Sequence, residues 1–181
     1  KDLLKNKITL MYDQNIVNDF LLRSEDISKT ADKDTAFEVI SSEIDTCDNR
    51  YLNEYIVALN YIRHEKVLDW IENNSHRITS VSENWGHLAA SSRFNWERAD
   101  KWLSKGRPLG LIALDALIFC TTINQRLNQS PWMQEIQPKL PEDSRPDLIA
   151  KRLQEYLLID NVPRTKTAVQ HIINNIFEIR E

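Results

Sequence analysis

Apolar side chains recur along most of this chain at steps of three and four residues, which is the period of a helix with one buried face. The first segment shows the pattern in Leu4, Ile8, Met11, Tyr12, Ile16 and Phe20. No segment alternates apolar and polar residues over more than four positions, as a half-buried strand would. With 3 glycines and 6 prolines, the chain also has few of the turn residues that a many-stranded sheet needs. The sequence therefore predicts an all-α protein.

The periodic segments divide the chain into about eight or nine helices. The first helix is expected to end before the polar segment 23–34, and the second to cover residues 35–47. Further stripes begin near residues 52, 67, 78, 96, 108, 148 and 169. The stretch 129–146 holds four of the six prolines, and proline interrupts both helices and central strands. We therefore expect the longest irregular connection there.

The stretch NWERADKWLSKGRPLGLIALDAL, residues 95–117, joins two of these helices. Gly106 follows Lys105 in the positions that end a helix, and Pro108, which lacks an N–H, suits the first turn of the next one. The helix that begins there and runs to about residue 127 is apolar around most of its circumference. We expect this helix to be the buried centre of the fold.

A chain of 181 residues has the length of one domain with a substantial core. We therefore predict a single all-helical domain over residues 1–181. Residues 1–50 carry 7 basic and 11 acidic side chains and account for the net charge of −4, since residues 51–181 carry 16 of each. The prediction assigns acidic N-terminal helices to residues 1–50 and helical hairpins to residues 51–181, with the proline-rich connection at 129–146.

Residues 51–181 show a weak internal similarity. Sliding the chain by 32 residues places Trp70 on Trp102, and a second comparison places Pro163 on Pro108. The run ADKWLSKGRPLGLIALDALI, a short helix followed by a Gly/Pro turn and a long aliphatic helix, resembles a HEAT-type helical repeat. This resemblance implies an irregular stack of antiparallel helical hairpins, a HEAT-like α-α superhelix or α-solenoid. An irregular helical bundle is the alternative, because the period drifts from 32 to 55 residues.

The sequence offers no motif for catalysis, a cofactor or a metal. The 4 histidines lack the H-E-x-x-H and E-x-x-H spacings of zinc and di-iron sites. The 3 glycines cannot form the G-x-G-x-x-G or P-loop sequences that wrap phosphate with backbone N–H groups. We therefore predict no catalytic residue, no metal and no cofactor.

The expected location follows from the apolar segments and the cysteines. The longest apolar run, near residues 109–120, is interrupted by Asp115 and is shorter than the roughly 20 residues that span a bilayer. The chain begins without the charged and apolar segments of a secretory leader. Cys47 and Cys120 fall at apolar positions of helical patterns and are expected to be buried thiols rather than a disulfide. We expect a cytoplasmic protein that does not enter a membrane.

The tryptophans are the main indication of function. Five are many for this length, and indole is favoured at interfaces because it buries a large apolar area and keeps one polar donor. Trp70, Trp85 and Trp102 fall within apolar stripes and are expected in the core. The remaining two tryptophans and the basic residues near one of them are the predicted contact residues: Trp96, Arg98, Lys101, Lys105, Arg107 and Trp132. We predict a scaffold that binds a protein partner through a helical-repeat surface, without catalysis.

Nucleic acid is the alternative partner. HEAT-like proteins similar to the alkylpurine DNA glycosylases use tryptophans, an aspartate and basic side chains on a concave face, and this resemblance implies a DNA-binding protein or DNA-base glycosylase. We place it second because the chain is acidic and lacks the long-range attraction to phosphate that most nucleic-acid-binding proteins use. The enzyme would need a basic groove around Trp96 and Trp102 with a buried acid nearby.

Overall fold

The structure, a computed structural model, describes the backbone of residues 2–126 and 146–178 and the side chains of residues 13–120 and 146–175. Within these ranges every regular element is helical, which confirms the all-α prediction. The α-helices are α1 Asp2–Thr30, α2 Lys33–Thr46, α3 Leu52–Tyr55, α4 Val67–Asn74, α5 Glu83–Ser91, α6 Trp96–Lys105, α7 Leu109–Arg126, α8 Pro146–Tyr156 and α9 Pro163–Glu178. Short 3-10 helices cover Asn49–Tyr51, Ile56–Tyr61 and Ser75–Arg77. The predicted proline-rich connection lies outside the described residues up to its last position, Pro146, which begins α8.

The chain divides into two compact units, Lys1–His64 and Glu65–Glu181. A compact unit is a region of dense internal contacts, which is a weaker property than an independently folding domain. The prediction of a single domain over residues 1–181 therefore stays a prediction.

In the N-terminal unit, α1 packs against α2 and against the helical segment 49–61. The ring of Phe20 stacks on that of Tyr55 with 4.2 Å between their centroids, and Ile40 and Ile44 of α2 are fully buried. Helix α2 begins after Asp32, whose carboxylate accepts from the Thr35 N–H at 3.0 Å. An N-cap of this kind satisfies a donor that the first helical turn leaves open.

Helix α1 is longer than the sequence predicts. It continues through residues 23–30, which were expected to form a polar separation after Phe20. Ser24 lies one turn beyond Phe20 and is buried at 1% exposure, so a small polar residue extends the buried stripe. An ion pair between Lys29 and Glu25, four residues apart, supports the last turns from the exposed side. The prediction failed because it counted apolar residues only.

In the C-terminal unit, α7 packs against α5, α6 and α9. Four consecutive residues of α7 are fully buried, Leu111, Ile112, Ala113 and Leu114. This confirms α7 as the buried centre that its composition predicts. Gly106 ends α6 with φ of 70°, a conformation that glycine adopts without strain, and Leu109 is the first residue of α7.

The axes of α5 and α7 approach each other closely at Gly86. A Cβ atom on Gly86 would lie 2.5 Å from Cβ of Asp115 and 2.9 Å from its carbonyl carbon. Contacts of this length force the backbone to move, since a backbone carbon cannot rotate away as a flexible side chain does. Glycine at this position therefore fixes the distance between the two helices.

We expect Gly86→Ala to lower the free energy of unfolding by about 1–3 kcal/mol, the cost of overpacking a filled interior. The gain of about 1 kcal/mol in helix propensity acts in the opposite direction. Urea unfolding measures the change, with the exposed Ser104→Ala of α6 as a control that stays within about 0.5 kcal/mol of wild type. An unchanged or higher midpoint for Gly86→Ala would contradict the close approach of α5 and α7.

Candidate functional site

Three of the predicted contact residues lie together around one carboxylate. Arg98, Lys101 and Lys105 are spaced at three, four and seven residues along α6, so they share one helix face with Trp102. All four side chains donate to the carboxylate of Glu72 on α4. We call these five residues the Glu72 cluster.

The Glu72 cluster is a dense set of charge-assisted hydrogen bonds. The indole Nε1 of Trp102 donates to Oε1 of Glu72 at 2.8 Å, and Nζ of Lys101 donates to Oε2 at 2.8 Å. Nζ of Lys105 donates to the same Oε2 at 3.1 Å. Bonds in which one or both groups are charged are about twice as strong as neutral ones. The cluster therefore ties α6 to α4.

The electrostatics of Glu72 depend on burial and on its donors. Its side chain is only 13% exposed, and burial alone would raise the pKa of the carboxyl group. The hydrogen bonds from Lys101, Trp102, Arg98 and Lys105 outweigh that effect and hold the pKa well below its usual range. The three cations in turn neutralise a carboxylate of their own chain.

Arg107 lies elsewhere, in an ion pair with Asp160 in the connection between α8 and α9. Its Nε donates to Oδ2 of Asp160, and its Nη2 lies 3.4 Å from the hydroxyl oxygen of Thr165. Asp160 is 7% exposed; burial raises the pKa of its carboxyl group, but Arg107 and Thr165 lower it to a value below the ordinary one. This pair fixes the connection after α8 to the Gly106 turn.

Among the tryptophans that the structure describes, those within the apolar stripes are buried, as the sequence predicts. Trp70, Trp85 and Trp102 are buried, which confirms their assignment to the core. Trp96 is half-buried at the first residue of α6. Trp132 lies outside the described residues. The structure thus brings together three of the six predicted contact residues and places Arg107 in a separate pair.

An open groove, which the sequence did not predict, lies between α5, α7 and α9. It has a volume of about 440 Å³ and is lined by Glu83, Asp115, Ile118, Arg164, Thr167, Ala168 and His171. The four lining residues of α9 are spaced at three, four and seven positions, so they form one helix face. This spacing and the lone aspartate in the aliphatic α7 were the features of the sequence that could have indicated the groove. We call this feature the α7–α9 groove.

The surroundings of Asp115 in the α7–α9 groove raise the pKa of its carboxyl group. Its side chain is 15% exposed, and burial raises the pKa of the carboxyl group; the charge of Arg164 opposes this, and the charge of Glu83 adds to it. Nη2 of Arg164 donates to Oδ2 of Asp115 at 2.8 Å, and Nη1 donates to the carbonyl oxygen of Val81 at 3.1 Å. The guanidinium therefore bridges α7 and the segment before α5.

A second surface feature is the connection between α8 and α9. Leu158, Ile159 and Val162 are 87%, 61% and 41% exposed. The backbone N–H groups of Ile159 and Asp160 donate to the carbonyl of Tyr156 at 2.9 and 3.0 Å, and the Arg107–Asp160 pair holds the same segment. We call these three aliphatic side chains the α8–α9 tip.

Two properties of the described residues bear on other classes of function. Their side chains include no group of three or more His, Cys, Asp and Glu placed to hold a metal ion. Of the helices in the described ranges, none combines the length and the apolar character that crossing a membrane requires. Cys47 and Cys120 are thiols, and burial raises the pKa of Cys120 to about 12, which keeps it protonated and unreactive at neutral pH.

No family model matches this chain, and no curated protein or solved structure matches it either. The resemblance to HEAT-type repeats therefore remains a prediction from the sequence.

We expect Glu72→Gln to lower the free energy of unfolding at pH 7 by about 2–4 kcal/mol, because it leaves three cations without their shared carboxylate. The folded pKa of Glu72 is depressed, so its contribution is present above the unfolded value of about 4.3 and is lost as pH falls towards the folded value. The difference in the free energy of unfolding between wild type and variant should therefore shrink between pH 5 and pH 3.

Urea unfolding across this pH range measures the difference. Glu97→Gln, which changes an exposed acid of α6, serves as control. A difference that is small at pH 7, or that does not change with pH, would contradict this account of Glu72.

Proposed function

We propose that this chain is an interaction module that binds a protein partner through its C-terminal unit and performs no catalysis. We also propose that its helices form a HEAT-like stack of hairpins and that it works in the cytoplasm, where its two thiols remain reduced. The observation that carries the proposal is the α8–α9 tip, three large aliphatic side chains presented to solvent by a segment that hydrogen bonds and an ion pair hold in place.

The chemistry of the tip supports a protein partner. Single exposed aliphatic residues are common on any surface, but neighbouring ones on one short connection mark interaction sites. Burial of a side chain such as Leu158 or Ile159 contributes about 1.5–3 kcal/mol in a new interface. Because Arg107 and Asp160 hold the connection in the free protein, little conformational entropy is lost on binding.

The Glu72 cluster bears on the choice between protein and nucleic acid. Arg98, Lys101 and Lys105 each donate to Glu72, and Arg107 donates to Asp160. A phosphate would have to compete with these carboxylates, and the chain as a whole is acidic. The predicted contact set therefore supports nucleic-acid binding less than the sequence suggests, and the proposed contact surface moves from these cations to the α8–α9 tip.

The proposal is tested by adding charges to the tip. We expect the double variant Leu158→Glu/Ile159→Glu to lose protein partners that the wild-type chain captures from an extract of its own cells, because buried carboxylates without a partner are costly. For a purified partner, the loss should reach tenfold or more in Kd. The matched control is Leu148→Glu, an exposed leucine at the other end of α8, about 15 Å away by helix rise. Equal capture by wild type and double variant would contradict a role of the tip.

The alternative function is tested with a duplex DNA oligomer in fluorescence anisotropy at 50 and 200 mM salt. A protein that neutralises several phosphates loses about 10³–10⁵ in affinity between these salt concentrations. We expect no binding at 50 mM salt, since the four described cations of the contact set are paired within the chain. Tight, salt-dependent binding would instead favour the DNA-binding alternative.

A further inference from the structure

We propose that the α7–α9 groove binds a Lys or Arg side chain of the partner protein, with its alkyl stem against Ile118 and Ala168 and its cationic head between Glu83 and Asp115. This inference rests on the proposed protein-binding function and adds the chemistry by which the partner is recognised.

Charge is the first argument. The groove holds two carboxylates, Glu83 and Asp115, and one guanidinium, that of Arg164. Arg164 donates to Asp115 and to the carbonyl of Val81, and among the described residues it forms no ion pair with Glu83. Glu83 forms no hydrogen bond or ion pair with any part of the chain that the structure describes. Counted over the described lining residues, the groove therefore has one more carboxylate than cation.

The coupling between the two carboxyl groups supports the same conclusion. Burial of Asp115 is the main reason that its pKa is raised, and the charge of Glu83 raises it further. Two carboxylates that repel each other create a negative potential at the position between them. A cation placed there interacts favourably with both groups and favours the ionised form of Asp115.

The shape and lining of the groove select the kind of cation. A volume of about 440 Å³ admits one long side chain with room for water. Ile118 and Ala168 supply an apolar wall, whereas Glu83, Thr167 and His171 supply polar groups. Lys and Arg combine an alkyl stem with a charged head that seeks polar partners, which matches both parts of the lining.

Other ligands fit the groove less well. An anion would be repelled by the carboxylates of Glu83 and Asp115, and the one guanidinium in the lining, that of Arg164, is already paired with Asp115. A metal ion would need at least three ligands, and no such group exists among the described side chains. A Lys ammonium has three donors and an Arg guanidinium has five, and the hydroxyl of Thr167 and the carboxylate of Glu83 are available as acceptors.

The experiment titrates the ¹⁵N-labelled full chain with three amino acids capped on the backbone: Nα-acetyl-lysine methylamide, Nα-acetyl-arginine methylamide and the neutral Nα-acetyl-norleucine methylamide. We expect the Lys and Arg probes to shift the amide signals of Asp115, Thr167 and Ala168 with Kd in the millimolar range, and the norleucine probe to shift none of them. Equal shifts with norleucine would overturn the role of charge. An absence of shifts with the two basic probes would overturn the site.

Glu83→Gln is the deciding variant, because Glu83 is exposed and its loss leaves the Arg164–Asp115 pair intact. We expect it to weaken binding of both basic probes about three- to fivefold, the upper part of the range for an exposed ion pair. Glu97→Gln changes the net charge equally and should leave the affinity unchanged. Equal affinities of Glu83→Gln and wild type would overturn the placement of the cationic head.

The partner assay separates this inference from the proposed function. With a captured partner, Glu83→Gln should lower the affinity by a similar factor while the α8–α9 tip is unchanged. Capture of a partner whose binding does not respond to Glu83→Gln would overturn the groove inference alone. Binding of the probes without any protein partner would overturn the proposed function, and with it the partner side chain as the occupant.

Discussion

The burial of α7 is the constraint on which the C-terminal unit depends. Leu111, Ile112 and Leu114 are at most 1% exposed, and each buried side chain of this size contributes about 1.5–3 kcal/mol. A helix that is apolar around most of its circumference has to be covered on several sides, and α5, α6 and α9 provide that cover. The positions of these three helices in turn determine which of their polar residues meet.

Asp115 is the exception on this buried helix, and it shapes the α7–α9 groove. A carboxylate in a largely apolar environment is costly unless it is paired, and Arg164 of α9 provides the pair. Gly86 lets α5 approach the backbone of Asp115, which brings the first turn of α5, with Glu83, to the same place. The groove therefore arises from a polar residue in a core helix and from the close packing around it.

Two carboxylates with little exposure to solvent account for the positions of the conspicuous basic residues. Glu72 accepts from Arg98, Lys101 and Lys105, and Asp160 accepts from Arg107. Removing the cations from either carboxylate would leave a poorly solvated charge without compensation, which would destabilise the fold. Basic residues near a tryptophan are thus explained by intramolecular pairing, which is why the proposed contact surface is the α8–α9 tip.

The sequence by itself determined the class of the fold, the Gly/Pro turn between α6 and α7 and the burial of Trp70, Trp85 and Trp102. These are local properties: apolar spacing reports the helical period, and Gly106 and Pro108 act through their own backbone geometry. The end of α1 was misplaced because the small polar Ser24 occupies a buried position of the stripe. Only the tertiary structure decided which charges meet. Glu72 and Arg98 are 26 residues apart in the sequence, and Asp115 and Arg164 are 49 residues apart. The charge of a side chain does not specify which of many opposite charges the folded chain will bring next to it.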